Sequence, residues 1–60
     1  MNTKEIARKE RVQTILNSIK KAQTDGRIID FKKLIAVTMF DFGVARRTAI
    51  EYIDAAKSQI

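Results

Sequence analysis

The sequence predicts an all-α fold, a three-helix bundle in which residues 1–60 form one small domain. Three observations predict it. Apolar residues recur at steps of three and four along most of the chain. The only two glycines, Gly26 and Gly43, each follow such a stretch, where a helix needs a left-handed residue just past its end. Proline and cysteine are absent, which argues against a turn-rich β domain and excludes disulfide bridges.

The first helix is predicted at about residues 3–23. Asn2 and Glu5 have the spacing of a capping box, and the interior is rich in helix-forming residues. One apolar stripe carries the positions expected in the core, which are Val12, Ile15, Leu16, Ile19 and either Ala22 or Gln23.

A row of cations continues that stripe toward the N-terminus. Lys4, Arg8 and Arg11 lie on one line with the apolar stripe, in steps of three or four. Because cations rarely occupy core positions, we expect residues 1–9 to project from the body as a basic arm. The cations assigned to this arm are Lys4, Arg8, Lys9 and Arg11. The alternative is a solvated helix end whose long side chains cover apolar surface with their stems.

The second helix is predicted at about residues 31–41. The preceding Arg27-Ile28-Ile29 is a β-branched run too short for an independent strand, and Asp30 offers an N-cap. The main apolar face consists of Phe31, Leu34, Ile35, Thr38 or Met39, and Phe42. A second facet at Val37 and Phe40 makes the helix apolar around much of its circumference, so we expect it to lie between the other two helices. If this facet is uncovered, it marks a dimer or partner surface.

The third helix is predicted at about residues 45–58. Its expected buried side consists of Val44, Ala49, Tyr52, Ile53, Ala56 and Ile60. Its expected outer side consists of Arg46, Arg47, Ile50, Glu51, Asp54 and Lys57. The three helices are expected to share one small core.

The connection Phe42-Gly43-Val44 joins the second helix to the third. A connection of three or four residues that contains glycine, between two short amphipathic helices, is typical of a helix-turn-helix. Gly43 permits the left-handed backbone, Val44 fills the angle between the helices, and the small Ala49 lets them pack closely. The exposed start of the third helix is then free to enter the major groove of DNA.

The stretch FGVARRTAIEYI, residues 42–53, resembles the turn and recognition helix of helix-turn-helix and winged-helix DNA-binding proteins. The segment before it, residues 27–39, is similar to the first strand and second helix of small archaeal winged-helix domains. Together the two cover more than half of the chain. Ala45 departs from the pattern, because the family often has Ser or Thr there to cap the helix. The chain given ends at Ile60, after the third helix, so we expect a version without the wing.

The resemblance implies DNA-binding roles for the start of the third helix. Arg46 and Arg47 would reach guanine edges or phosphates, since a bidentate Arg–guanine pair contributes about 1–3 kcal/mol of discrimination. Ile50 would touch a thymine methyl group and Glu51 a cytosine amine. The implied DNA-reading set is Ala45, Arg46, Arg47, Thr48, Ile50 and Glu51, and the implied phosphate contacts are Arg27, Lys32, Lys33 and Lys57. The alternative for the two arginines is an ordinary solvated helix start, although cations there oppose the helix dipole.

The charge distribution complicates this interpretation. The net charge of +5 and the pI near 10.0 favour a polyanionic partner. Residues 1–23 hold six Lys/Arg and two Glu, whereas residues 24–43 are neutral and residues 44–60 carry a net +1. Binding therefore relies on the N-terminal arm, or nucleic acid is not the chief partner.

The composition argues against catalysis. The chain has no histidine and no cysteine, Ser18 and Ser58 lie in no nucleophile pattern, and the carboxylates are scattered. Asp41-Phe42-Gly43 spells a kinase motif, but no kinase fits in 60 residues. We expect no enzyme activity, no cofactor, no metal and no small-molecule substrate. No apolar run has the length of a membrane span, so we also expect a soluble, cytoplasmic protein. A basic first helix that lies on an anionic membrane is a poorer alternative, because its apolar stripe has no bulky aromatic residue, and we expect no membrane partner.

These observations lead to two hypotheses about function. The first is a small protein that binds double-stranded DNA in association with the nucleoid, as a transcriptional regulator or another DNA-associated factor. One recognition helix makes a small footprint, so a homodimer or a larger DNA-handling complex is expected. The alternative is a protein-interaction module, an accessory subunit of a replication or transcription complex. It would dock through the Val37/Phe40 facet, Ile50 or the far side of the first helix.

Overall fold

A computed structural model of the protein describes the backbone of residues 3–60 and the side chains of residues 6–60. Within this range the chain forms three helices and no strand: α1 (Thr3–Thr24), α2 (Phe31–Phe42) and α3 (Arg46–Lys57). The predicted all-α class with three helices is confirmed, and each helix ends within one residue of its predicted bounds. The proposed capping box at Asn2 and Glu5 and the side chain of Lys4 lie outside the described set.

The first turn ends α1 through a left-handed glycine. Gly26 has φ 71°, and its N–H donates to the carbonyl of Gln23 while the N–H of Arg27 donates to that of Ala22. This pair of hydrogen bonds is a Schellman motif, which satisfies carbonyls that the helix end leaves free. Asp30 then caps α2, because its carboxylate accepts hydrogen bonds from the backbone N–H groups of Lys32 and Lys33. The predicted N-cap is thus confirmed.

The second turn joins α2 to α3 through Gly43, whose φ of 62° and ψ of 39° are left-handed. The N–H groups of Gly43 and Val44 both donate to the carbonyl of Met39. Ala45 follows in an extended conformation and makes no side-chain cap, as its methyl group requires. The turn therefore redirects the chain sharply and leaves the start of α3 with no capping side chain.

The core is built mainly between α1 and α3. Its buried members are Val12, Ile15, Leu16 and Ile19 from α1 and Ala49, Tyr52, Ile53 and Ala56 from α3. From α2 only Thr38 is buried, while residues such as Leu34, Ile35 and Phe42 pack partly against the core. Ile60, which was expected to be buried, is 58% exposed because it lies beyond the end of α3.

The central helix is α3, which corrects the expectation that α2 lies between the other two. Helix α3 packs against both α1 and α2, whereas α1 and α2 meet each other much less. The physical reason lies in side-chain size. Ala49 and Ala56 are fully buried on α3, and such small residues let neighbouring helices approach closely. Within the described residues, no helix covers the larger outward residues of α2.

Candidate nucleic-acid interface

The start of α3 presents two arginines to solvent. Arg46 and Arg47 directly follow Ala45, the N-cap residue, which provides no side-chain hydrogen bond to the helix. Both arginines are exposed, and 92% of the Arg47 side chain is accessible. The first backbone N–H groups of a helix have no partner inside the helix, and its dipole adds partial positive charge at this end. Two guanidinium groups and an uncapped helix terminus therefore give this end of α3 a concentrated positive potential.

The other DNA-reading positions predicted around these arginines differ in accessibility. Thr48 and Ile50 are half-buried, and Ala49 between them is fully buried. The Ala49 side of α3 therefore faces the core. Glu51 is exposed and forms an ion pair with Arg47, with 3.7 Å between Oε1 and Nε. An exposed pair of this i,i+4 type contributes only about 0.3–0.5 kcal/mol. The ion pair therefore restrains the Arg47 side chain only weakly.

One predicted arm residue belongs instead to the body of the protein. Arg11 is half-buried; its Nη1 donates to the hydroxyl oxygen of Tyr52 at 3.2 Å, and its guanidinium lies 5.7 Å from the centre of the Phe42 ring. The rings of Phe42 and Tyr52 pack edge to face with centroids 6.4 Å apart. This cluster joins all three helices beside the Gly43 turn. It corrects the assignment of Arg11 to a projecting arm, since the guanidinium finds an aromatic face and an acceptor on the core.

The remaining described cations of the arm, Arg8 and Lys9, are exposed. They line a groove that also includes Ile6 and Gln59, so this part of α1 lies beside the C-terminal end of α3. The first buried residue of α1 is Val12 among those whose side chains are described. Arg8 and Lys9 therefore border the end of α3, whereas Arg46 and Arg47 are at its start.

The predicted phosphate contacts also lie away from the start of α3. Lys57 places its Nζ 4.6 Å from the centre of the Phe31 ring, which puts the end of α3 beside the start of α2, where Lys32 and Lys33 are exposed. Arg46 and Lys57 are the first and last residues of α3, so they lie roughly 17 Å apart along the helix at 1.5 Å per residue. Arg27 is exposed and paired with Asp25 at 3.2 Å. The sequence pattern did not reveal the Lys57–Phe31 or Arg11–Tyr52 contacts, because they join residues far apart in the chain.

The described residues contain no group of three His, Cys, Asp or Glu side chains arranged to hold a metal ion. None of the described helices is both long and apolar enough to cross a bilayer. Comparison of the chain with family models, curated proteins and solved structures gives no match. The candidate site is therefore defined by its own geometry: an exposed pair of arginines at one end of α3, and a separate set of cations at the other end.

Proposed function

We propose that this protein binds double-stranded DNA as a small helix-turn-helix module, with α3 as the recognition helix. The observation that supports the proposal most directly is the exposure of Arg46 and Arg47 immediately after the left-handed Gly43 turn. A transcriptional regulator or another DNA-associated factor, located with the nucleoid, is the corresponding biological role.

The dimensions of α3 suit this role. An α-helix with its side chains is about 10–12 Å across, and the major groove is about 12 Å wide. The buried side of α3 carries Ala49, Ile53 and Ala56, so the helix is held to the body from one side. Its first turn then offers Arg46 and Arg47 to base edges, and guanine O6 and N7 are the acceptors that suit an arginine best.

The second set of cations supplies positioning contacts in this proposal. Lys57 is exposed at the far end of α3, roughly 17 Å from Arg46 along the helix, and Lys32 and Lys33 are exposed at the start of α2. Contacts from such residues to phosphates set orientation and register without reading the sequence. Arg8 and Lys9 are exposed beside Gln59 and add to the general attraction for a polyanion. The helix start therefore reads bases, and the other cations hold the backbone.

The test is a titration of a duplex of about 20 base pairs at several salt concentrations. For the double variant R46A/R47A we expect a loss of affinity that is larger for one duplex sequence than for others, because each Arg–guanine pair contributes about 1–3 kcal/mol of discrimination. If the two arginines contact phosphates instead, all duplex sequences lose affinity equally and the slope of log K against log salt is smaller by about 1.8, because each lost phosphate contact removes about 0.9.

The matched control is K20A/K21A, which removes the same charge from exposed positions near the end of α1. We expect its salt slope to stay close to that of the unchanged protein. Circular dichroism tests whether both variants are folded. Equal losses in the two variants would contradict the proposal, because they would show a response to net charge rather than to the start of α3.

A protein-interaction module is the second candidate function, and one observation favours it. Phe40 is 89% exposed and Val37 is 44% exposed, on a helix face that no part of the described chain covers. An accessory subunit of a replication or transcription complex would dock through such a face. Failure of the unchanged protein to bind any duplex at about 50 mM salt would favour this candidate over DNA binding.

A further inference from the structure

The outward surface of α2 is apolar in its middle and charged at its two ends. It consists of Lys33, Ala36, Val37, Phe40 and Asp41, all exposed, which we call the α2 outer face. An aromatic ring that is 89% exposed, as Phe40 is, leaves nearly all of its apolar surface in water. Among the described residues, Phe40 has the largest of the apolar side chains that are almost fully exposed.

A groove lies directly beside the α2 outer face, between α2 and the end of α1. Its lining is mainly apolar and includes Ile28, Leu34 and Val37, with Ile19 and Ala22 from α1. Ile28 is fully exposed. The groove has a volume of about 470 Å³, and about 150 Å³ of apolar space is enough for a benzene ring. The groove can therefore take an aromatic side chain from another molecule.

The two charges of the α2 outer face are placed symmetrically about its centre. Lys33 lies four residues before Val37 and Asp41 lies four residues after it. Neither takes part in an ion pair within the described residues. When two identical helices pack antiparallel across a two-fold axis, each position faces the position equally far on the other side of the axis. An axis at Val37 thus brings Lys33 of each copy opposite Asp41 of the other.

We propose that a second copy of this chain covers the α2 outer face, in a symmetric dimer whose α2 helices pack antiparallel at Val37. The same register that pairs Lys33 with Asp41 places position 40 opposite position 34. Phe40 of each copy then enters the groove beside Leu34 of the other, and two ion pairs flank the apolar centre. A surface that complements itself in both shape and charge is what a two-fold interface requires.

This inference is independent of DNA binding, because the proposed dimer forms without DNA. The experiment below is therefore carried out in the absence of DNA. The test is sedimentation equilibrium of the full chain over about 10 μM to about 1 mM. We expect the unchanged protein to dimerise within this range and F40A to dimerise at least about tenfold more weakly, with an unchanged circular dichroism spectrum. A chain that stays monomeric throughout the range would overturn the proposal.

The register is tested by charge reversal. Each of K33E and D41K creates two like-charge pairs in its own homodimer, so we expect each to dimerise about tenfold more weakly. An equimolar mixture of the two variants restores both ion pairs, and dimerisation should return to about the strength of the unchanged protein. No partner other than a second copy gives this rescue.

The control is K32E, which makes the same charge change on the next residue, away from the α2 outer face. Its dimerisation should match that of the unchanged protein. If K33E and D41K dimerise normally, or if their mixture is no stronger than either alone, the antiparallel register at Val37 is wrong.

Discussion

Helices α2 and α3 have the same length and are stabilised in opposite ways. Eight of the 12 residues of α2 are apolar and six of the 12 of α3, yet α2 buries one residue and α3 buries four. Helix α2 has a side-chain N-cap at Asp30 and a left-handed glycine at its end, whereas α3 has neither. Caps therefore contribute more to the stability of α2, and burial contributes more to that of α3.

The difference teaches that the arrangement of apolar residues matters more than their number. The apolar residues of α3 lie on one side and include small alanines, so two neighbours can cover them. Those of α2 are spread around the helix, and two other helices cannot cover every side. The apolar surface that remains on α2 is available for another molecule.

The largest expected effect comes from removing a core side chain of α3. Ile53 is 3% exposed, so Ile53→Ala should lower the free energy of unfolding by about 2–5 kcal/mol, through lost burial and the cavity left behind. For a 60-residue domain this approaches the total stability. Urea unfolding followed by circular dichroism measures the loss.

The matched change on α2 is Phe40→Ala, measured at about 1 μM, where any dimer is dissociated. It should change the free energy of unfolding by less than about 0.5 kcal/mol, because the Phe40 ring is 89% exposed. A cost comparable to that of Ile53→Ala would contradict the contrast between the two helices.

The turn between the two helices should show an intermediate effect. A Cβ at Gly43 would meet no atom within 4 Å, so Gly43→Ala costs only what the left-handed backbone imposes, about 1–2 kcal/mol. Gly43→Asn should cost less, since asparagine tolerates this conformation better. Thermal unfolding of the two variants compares them, and equal stability of Gly43→Ala and the unchanged protein would show that the turn does not need positive φ.

Exchanging the caps should have a smaller effect than changing Gly43. Asp30→Ala removes the side chain that accepts from Lys32 and Lys33 and should cost about 1 kcal/mol. Ala45→Ser adds a hydroxyl at an extended N-cap position and should stabilise α3 by up to about 1 kcal/mol. Opposite shifts in the unfolding midpoint are expected. Two shifts of the same sign would contradict the assignment of local stabilisation to α2 alone.

The features that were predictable from the sequence are local. The helix bounds, the Asp30 cap and the buried stripe of α1 depend on groups within four residues of each other, as helix hydrogen bonds and side-chain rows do. The exposure of Arg46 and Arg47 at the start of α3 also follows from local pattern. Their role in binding DNA stays a prediction.

The features that were not predictable depend on contacts across the chain. The pattern suggested α2 as the central helix because it is the most apolar, but close packing around Ala49 and Ala56 makes α3 central. Arg11 lies in a row of cations in the sequence, yet its contact with Tyr52 joins residues 41 positions apart. The periodicity of one helix does not indicate which side chains of another helix will contact its residues.

The sequence by itself thus determined three helices, their ends and the cationic start of the third, because these follow from backbone hydrogen bonding and side-chain spacing over one or two turns. Only the tertiary structure decided which helix lies in the middle, which cations join the body and which apolar face stays open. Those outcomes depend on how side chains of different size and shape fill the space between helices, and that competition involves the whole chain at once.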